Sequence, residues 1–278
     1  MAKRSERRVD PVKSAEEIAG IRQAAAVVTG IHRALAELIV PGETTARLDK
    51  VAEEFIGDAG GVPAFKGYVM SDEEPFPSTL CTSINDVVVH GFPDERPIEE
   101  GDILSVDVGV ELDGFFGDCA RTYAVGPIDE QRAKLLEVTN ASLYDGIAAI
   151  EPGGWVFDIA RAVQKRAEAA GYGVVRDLVG HGIGRSLHED PAVPNFVPNP
   201  FQRHRYANLR LQAGMVICIE PMVNAGGHRV VTKEDGWRIF SADGSDSAHF
   251  EHMVLVTESG VEILTDHLEA PSDFVPAG

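Results

Sequence analysis

No part of the chain narrows its possible folds more than Ile103–Val125, ILSVDVGVELDGFFGDCARTYAV. Two β-rich runs meet at Asp113-Gly114, a dipeptide suited to a two-residue primed turn, so the stretch predicts a β-hairpin. Pairing about that turn sets Asp107 opposite Ala120 and Gly109 opposite Asp118. Side chains alternate along a strand, so Asp107 and Asp118 share one face as diagonal neighbours, roughly 7–8 Å apart. Leu104, Val106, Val108 and Val110 take the other face, which reads as core. Two carboxylates inside an apolar hairpin repel each other and lose hydration unless positive charge sits between them. Gly109 reads as the gap that leaves room for it. A solvated face, or an aspartate paired with Arg121, is the plain alternative that the hairpin alone leaves open.

The flanking sequence repeats a plan. Ser14 and Glu17 form a capping box ahead of the periodic run Ile18 to Ile39, and Pro41-Gly42 breaks that helix. Thr44 or Thr45 caps a second helix that Gly60-Gly61 closes. A Pro- and Gly-rich loop follows, then a strand-like run to His90. After the hairpin, helices over 129–150 and 156–170 are broken by Pro152-Gly153 and closed by Gly171. Position 41 pairs with 152, 42 with 153 and 60 with 171, one constant offset that predicts an internal duplication of a helix-helix-strands unit. The second unit ends in the strand Met215–Pro221. Two further runs, 237–240 and 249–257, flank Asp243-Gly244 and read as a second hairpin. A site at the junction of two such halves draws its groups from both.

Charge and cysteine usage limit the function. Twenty-five Lys and Arg against 44 Asp and Glu leave a net charge of −19, which argues against nucleic-acid binding and against attraction to an anionic membrane. Cys81, Cys119 and Cys218 are few, odd in number and widely spaced, as in a reducing compartment without disulfides. No apolar run reaches membrane-spanning length, and no apolar segment follows the basic N-terminus. A cytoplasmic protein is expected, with flexible tails at 1–11 and 269–278 around one domain, 12–268.

The second half adds Glu220 and Glu251 inside apolar strands, and His181 inside the glycine run 180–184. Glycines at 180, 182 and 184 rule out a helix and allow close backbone approach, aiming His181 inward. The run lacks the Lys-Ser/Thr of a phosphate loop and the spacing of a dinucleotide fingerprint. Two aspartates, two glutamates and one imidazole suit hard-to-borderline divalent cations better than a thiolate zinc site. Two such ions, about 3.5–4 Å apart, could activate a hydroxide and polarise a carbonyl.

SINDVVVHGFPD (83–94), the hairpin, GHGIGRSLHEDPAVPN (180–195), ICIEPMVNAG (217–226), DGW (235–237) and SAHFEHMVLVTESG (247–260) together resemble the type I methionine aminopeptidases. The resemblance runs from about Val12 to Thr265. It implies the α+β pita-bread fold, a pseudo-twofold pair of helix-helix-strand halves (about 12–126 and 127–268) around an antiparallel sheet. It implies two divalent ions (Co, Mn, Fe or Zn), with Asp107 bidentate on one, Asp118 and Glu251 bridging, and His181 and Glu220 completing the second. His90 and His188 would contact substrate, Glu220 would shuttle a proton, and Cys81, Phe76, Leu187 and Trp237 would line the methionine pocket. The implied activity is removal of the initiator methionine from nascent chains when the next residue is small. The implied partners are nascent N-termini, with transient ribosome contact, for a monomer. Two departures fall near the pocket: an insertion at Val69–Pro75, and Leu187 where an aromatic is common. An Xaa-Pro-type peptidase of the same fold would need a further N-terminal domain, for which the first helix leaves no room. A non-catalytic pita-bread binding protein would have lost ligands that are all present here.

Overall fold

The computed structural model describes residues 11–69 and 74–265. The expected tails, apart from Pro11, and the middle of the Val69–Pro75 insertion lie outside that range.

Helix α1 (Ala15–Ala36) starts at the predicted capping box: Glu17 N–H donates to Ser14 Oγ, and Ser14 N–H donates to the Glu17 carboxylate. Ile21, Ala24, Ala25, Val28, Ile31 and Leu35 recur at helical spacing and are fully buried. This stripe lies across the hairpin formed by Ile103–Leu112 and Phe115–Ala124. The approach is close because Gly117 has no side chain: a Cβ there would stand 2.6 Å from the carbonyl carbon of Ala24. The hairpin register is the one read from the sequence, with Asp107 opposite Ala120 and Gly109 opposite Asp118. Asp113 and Gly114 both take positive φ, as a primed turn requires.

The duplication is visible in the helices. Helix α2 (Thr45–Asp58) and helix α4 (Val156–Ala169) have equal length and stand at one offset, 45 matching 156 and 58 matching 169. The breakers match as well, since Gly42, Gly60, Gly153 and Gly171 all adopt positive φ. Helix α3 (Glu130–Ala148), capped by Asp129, completes the second pair. One apolar core gathers α1, α2 and the hairpin, with Leu104, Val106, Val108 and Val110 fully buried. A second core gathers α3, α4 and the strands of the other half.

All the named strand pairings are antiparallel. Leu80–Ile84 and Val62–Pro63 both pair with Ile103–Leu112, completing a four-stranded sheet. A five-stranded sheet holds the second half in the order Val261–Ile263, His252–Val256, Val216–Ile219, Gly180–Gly182 and Glu189–Val193. Among the hydrogen bonds that join the halves are Glu251 N–H to the Ala120 carbonyl (2.8 Å), His249 N–H to Thr122 Oγ1 (2.9 Å), and Thr122 Oγ1–H to the His249 carbonyl (2.8 Å).

Two expectations are corrected. The runs around Asp243-Gly244 do not pair as a hairpin. Ile239–Ser241 pairs with Val230–Thr232 and Val87–Val89, whereas Ser247–His249 pairs with Met222–Asn224. Asp243 accepts from the backbone N–H of Gly227 and Ser245, so the connection is tied to a neighbouring loop and hands the chain to another sheet. Gly109 is not a gap for ions either: a Cβ there would meet the Phe65 ring at 2.6 Å and Ala64 at 3.1 Å. Its missing side chain admits Phe65.

Gly117→Ala should force α1 away from the hairpin and lower stability by about 1–3 kcal/mol, the usual cost of overpacking. A urea melt checks it; an unchanged midpoint would mean that the helix tolerates the displacement.

Candidate metal centre

The five acid and imidazole residues named from the sequence converge on one cavity, whose lining includes Asp107, Asp118, His181, Glu220 and Glu251. Each arrives by a different local device. Asp107 and Asp118 project from one face of the hairpin, and Cys81 pairs with Asp107 from the other side. Glu220 follows the end of Val216–Ile219, its backbone carbonyl accepting from Asn195 Nδ2 at 3.0 Å. Glu251 sits in the break between Ser247–His249 and His252–Val256, where its N–H reaches across to Ala120. His181 stands in Gly180–Gly182, a strand that only glycines allow. A Cβ at 180 would lie 2.3 Å from the Cys218 carbonyl oxygen, and one at 182 would lie 2.2 Å from that of Asp190.

The electrostatics of this cluster are those of a cation site. Burial pushes Asp107 up to about 7. Burial, then the charges of neighbouring carboxylates, hold Asp118, Glu220 and Glu251 well above the ordinary carboxylate range. Asp107 Oδ1, Asp118 Oδ1 and Glu251 Oε1 are buried with no hydrogen-bond partner. His181 is kept neutral, its pKa lowered to about 3 by burial and then by His188. Its Nδ1–H donates to the Gly182 carbonyl (2.9 Å), which leaves the Nε2 lone pair facing Asp118 at 3.8 Å and Glu220 at 3.6 Å. A lone pair facing carboxylate oxygens needs a proton or a cation between them. The donor set, four carboxylates and one imidazole, fits a divalent metal.

Two residues beside the cluster escaped sequence reasoning. Cys218 Sγ lies within 4.8 Å of ligand atoms of Asp118, His181 and Glu251. Burial and then the Glu251 charge push its thiol up, so it remains protonated and hydrogen-bonds the Glu251 carboxylate. We read it as support for Glu251 and not as a ligand, because hard oxygen-bound cations do not favour a neutral thiol. The His249 ring is buried, with Nε2 3.7 Å from Glu220 Oε2. The signal that marked Glu220 and Glu251, an acid inside an apolar run, is absent at both.

The other end of the cavity is apolar. Phe76, Cys81 and Trp237 form a buried cluster, with Phe76 edge-on to Trp237 at 5.1 Å between centroids. Leu187 joins the lining, as do Phe65 and Tyr68, neither named from the sequence. Trp237 Nε1–H donates to the Glu74 carbonyl at 2.7 Å, anchoring the end of the insertion to the pocket wall. His188 lies between the two ends, its ring 4.4 Å from His181 and its Nδ1 2.8 Å from the Tyr68 hydroxyl. His90, at φ +59°, packs edge-on to Trp237, and burial lowers its pKa to about 4.

Known proteins share the sequence and the fold of this chain. Residues 19–258 match the family model described as "Metallopeptidase family M24". The chain is 45% identical to a methionine aminopeptidase of Borreliella burgdorferi over 255 residues, covering 92% of this chain and 98% of that protein. It superposes on the crystal structure of methionine aminopeptidase from Thermotoga maritima with a TM-score of 0.85 at 42% identity, covering 92% of this chain and 99% of that one. A prolidase from Pyrococcus furiosus aligns at a TM-score of 0.73 and 23% identity, covering 93% of this chain and 66% of that one, a likeness of fold alone.

Protons must leave the cluster when a divalent cation binds, so the rise in melting temperature on adding Mn or Co should grow from pH 6 to pH 8. A carboxyl with a raised folded-state pKa costs the metal-free fold stability as pH climbs from its ordinary range through its folded value. Asp118→Asn should therefore raise the melting temperature of metal-free protein at pH 7.5 and shrink the metal-induced increment. Calorimetry with and without metal checks both signs.

Proposed function

The chain belongs to metallopeptidase family M24, and we propose that it removes the initiator methionine from nascent chains whose second residue is small. It is a methionyl aminopeptidase that uses divalent metal, as its full-length relatives indicate. We assign the holding of two divalent ions to Asp107, Asp118, His181, Glu220 and Glu251. The observation that carries the reading is one cavity with a carboxylate cluster at one end and an apolar pocket at the other. When bound, such ions supply Lewis acidity and lower the pKa of water.

The residues of the chain do the rest. The free α-amine of a substrate would be received at the carboxylate end of the cavity, where the ions would be held, which favours cleavage at chain ends over internal bonds. Phe76, Cys81, Leu187 and Trp237 receive the unbranched thioether side chain, and the aromatic rings offer sulfur contacts. His188, with Nδ1 engaged by Tyr68, presents Nε2 to the scissile carbonyl and stabilises charge developing on its oxygen. His90 contacts the substrate from the Trp237 side. The Glu220 carboxylate, freed of its proton when a cation is held beside it, takes a proton from the attacking water and passes it to the leaving amine. The partners are nascent N-termini met in the cytoplasm at the ribosome, by a monomer. No described helix is long and apolar enough to cross a membrane.

Met-Ala-Ser and Met-Leu-Ser, supplied with Mn or Co, test the reading. Methionine should leave the first peptide and leave the second at least roughly tenfold more slowly, a discrimination within reach of a few pocket contacts. Release from neither, by protein shown to hold metal, would sink it. Asp107→Ala should cut turnover by more than about 100-fold, the upper end for outer-shell ligand partners, while circular dichroism stays unchanged. Full turnover would mean that the ligand set is wrong.

A further inference from the structure

A buried ion pair lies just outside the cavity. Glu189 follows His188 directly, and its side chain is 3% exposed against a Lys13 side chain that is 5% exposed. The two carboxylate oxygens have separate duties. Oε1 accepts the consecutive backbone N–H groups of Arg185 (2.8 Å) and Ser186 (3.0 Å), while Oε2 receives Lys13 Nζ. Gly184 opens this loop because the lysine stem occupies its side-chain space: a Cβ there would be 2.9 Å from Lys13 Cε. Lys13 is itself anchored, its N–H bonded to the Gly214 carbonyl at 2.8 Å, just ahead of the Val216–Ile219 strand that leads to Glu220. Neither Lys13 nor Glu189 lines the cavity.

A buried ion pair is a poor device for stability alone, since well-packed apolar residues of similar volume often serve as well or better. What this one does is geometric. One carboxylate gathers two amides of the loop, and one lysine ties that carboxylate to the backbone that carries Glu220. The loop between them delivers Leu187 and His188, and the His188 imidazole makes its side-chain hydrogen bond to Tyr68. We propose that Lys13 and Glu189 are positioning residues that set His188 against the scissile bond. The inference rests on the role assigned to His188 under the proposed function. A misplacement of about 1 Å at such a group can cost on the order of a hundredfold in rate.

The test uses Met-Ala-Ser kinetics with metal-loaded full-length protein. Glu189→Ala, which loses the amide acceptor, should lower kcat by about 10- to 100-fold, as loss of outer-shell support does. Its KM should change by less than about twofold, the loss falling on an interaction made in the transition state. Glu189→Gln keeps Oε1 and should recover most of the rate. The pair Lys13→Met/Glu189→Leu separates positioning from folding: it should melt at or above the parent temperature and still show the loss in kcat. On a His188→Ala background, Glu189→Ala should add no further loss, and bound metal should be the same in every variant. Wild-type kcat in the Met/Leu pair, or losses that multiply with His188→Ala, would overturn the proposal. Wild-type kcat in His188→Ala itself would overturn the role of His188 and this proposal with it. That result is distinct from failure to cleave Met-Ala-Ser at all, which would sink the proposed function.

Discussion

Four carboxylates and an imidazole, buried together with several of their lone pairs unanswered, set the terms for the rest of this structure. In a low-dielectric interior such a cluster is costly to the metal-free chain, and both halves of the fold contribute to holding it. Burial raises every carboxyl in it, and neighbouring charges raise three of them further. The same features that make the cluster expensive alone make it a strong receptor for a divalent cation. Stability and function are therefore coupled through one term of opposite sign in the metal-free and metal-bound protein.

The duplicated architecture explains how five candidate donors from distant parts of the chain can meet. Each half supplies two helices and antiparallel strands, and each has its own apolar core. Neither half carries a complete donor set: the hairpin brings Asp107 and Asp118, and the second half brings His181, Glu220 and Glu251. The hydrogen bonds from Glu251 to Ala120, and between His249 and Thr122, fix one half on the other at the cluster itself. The apolar pocket is assembled in the same way, with Cys81 beside Asp107 on one sheet and Leu187 arriving on the loop that Glu189 gathers.

Much of this was legible because it is local. The hairpin register followed from a primed turn and from the two-residue alternation of a strand, so the diagonal placement of Asp107 and Asp118 could be read directly. The capping box at Ser14 and the matched glycines at 42/153 and 60/171 carry their physical reason within a few residues. Gly109 was misread because the sequence does not say which neighbour fills a missing side chain; Phe65 does. The Asp243-Gly244 turn was misread because turn chemistry identifies a reversal, but not the strand that waits beyond it. Phe65, Tyr68, Cys218 and His249 stand in contexts that look like ordinary loop or core, and only their neighbours distinguish them.

By itself the sequence determined the elements, the hairpin register, the duplicated plan, the inventory of metal-binding donors and the family resemblance, because caps, turns and periodicity are short-range. The tertiary structure alone decided which side chains close the cavity, which lone pair of His181 faces the carboxylates, and how Lys13 comes to hold the loop of His188. Those outcomes depend on which residues from distant stretches of the chain meet, as Lys13 meets Glu189 and His181 faces Asp118, and that is set by the docking of two halves whose interface no local pattern encodes.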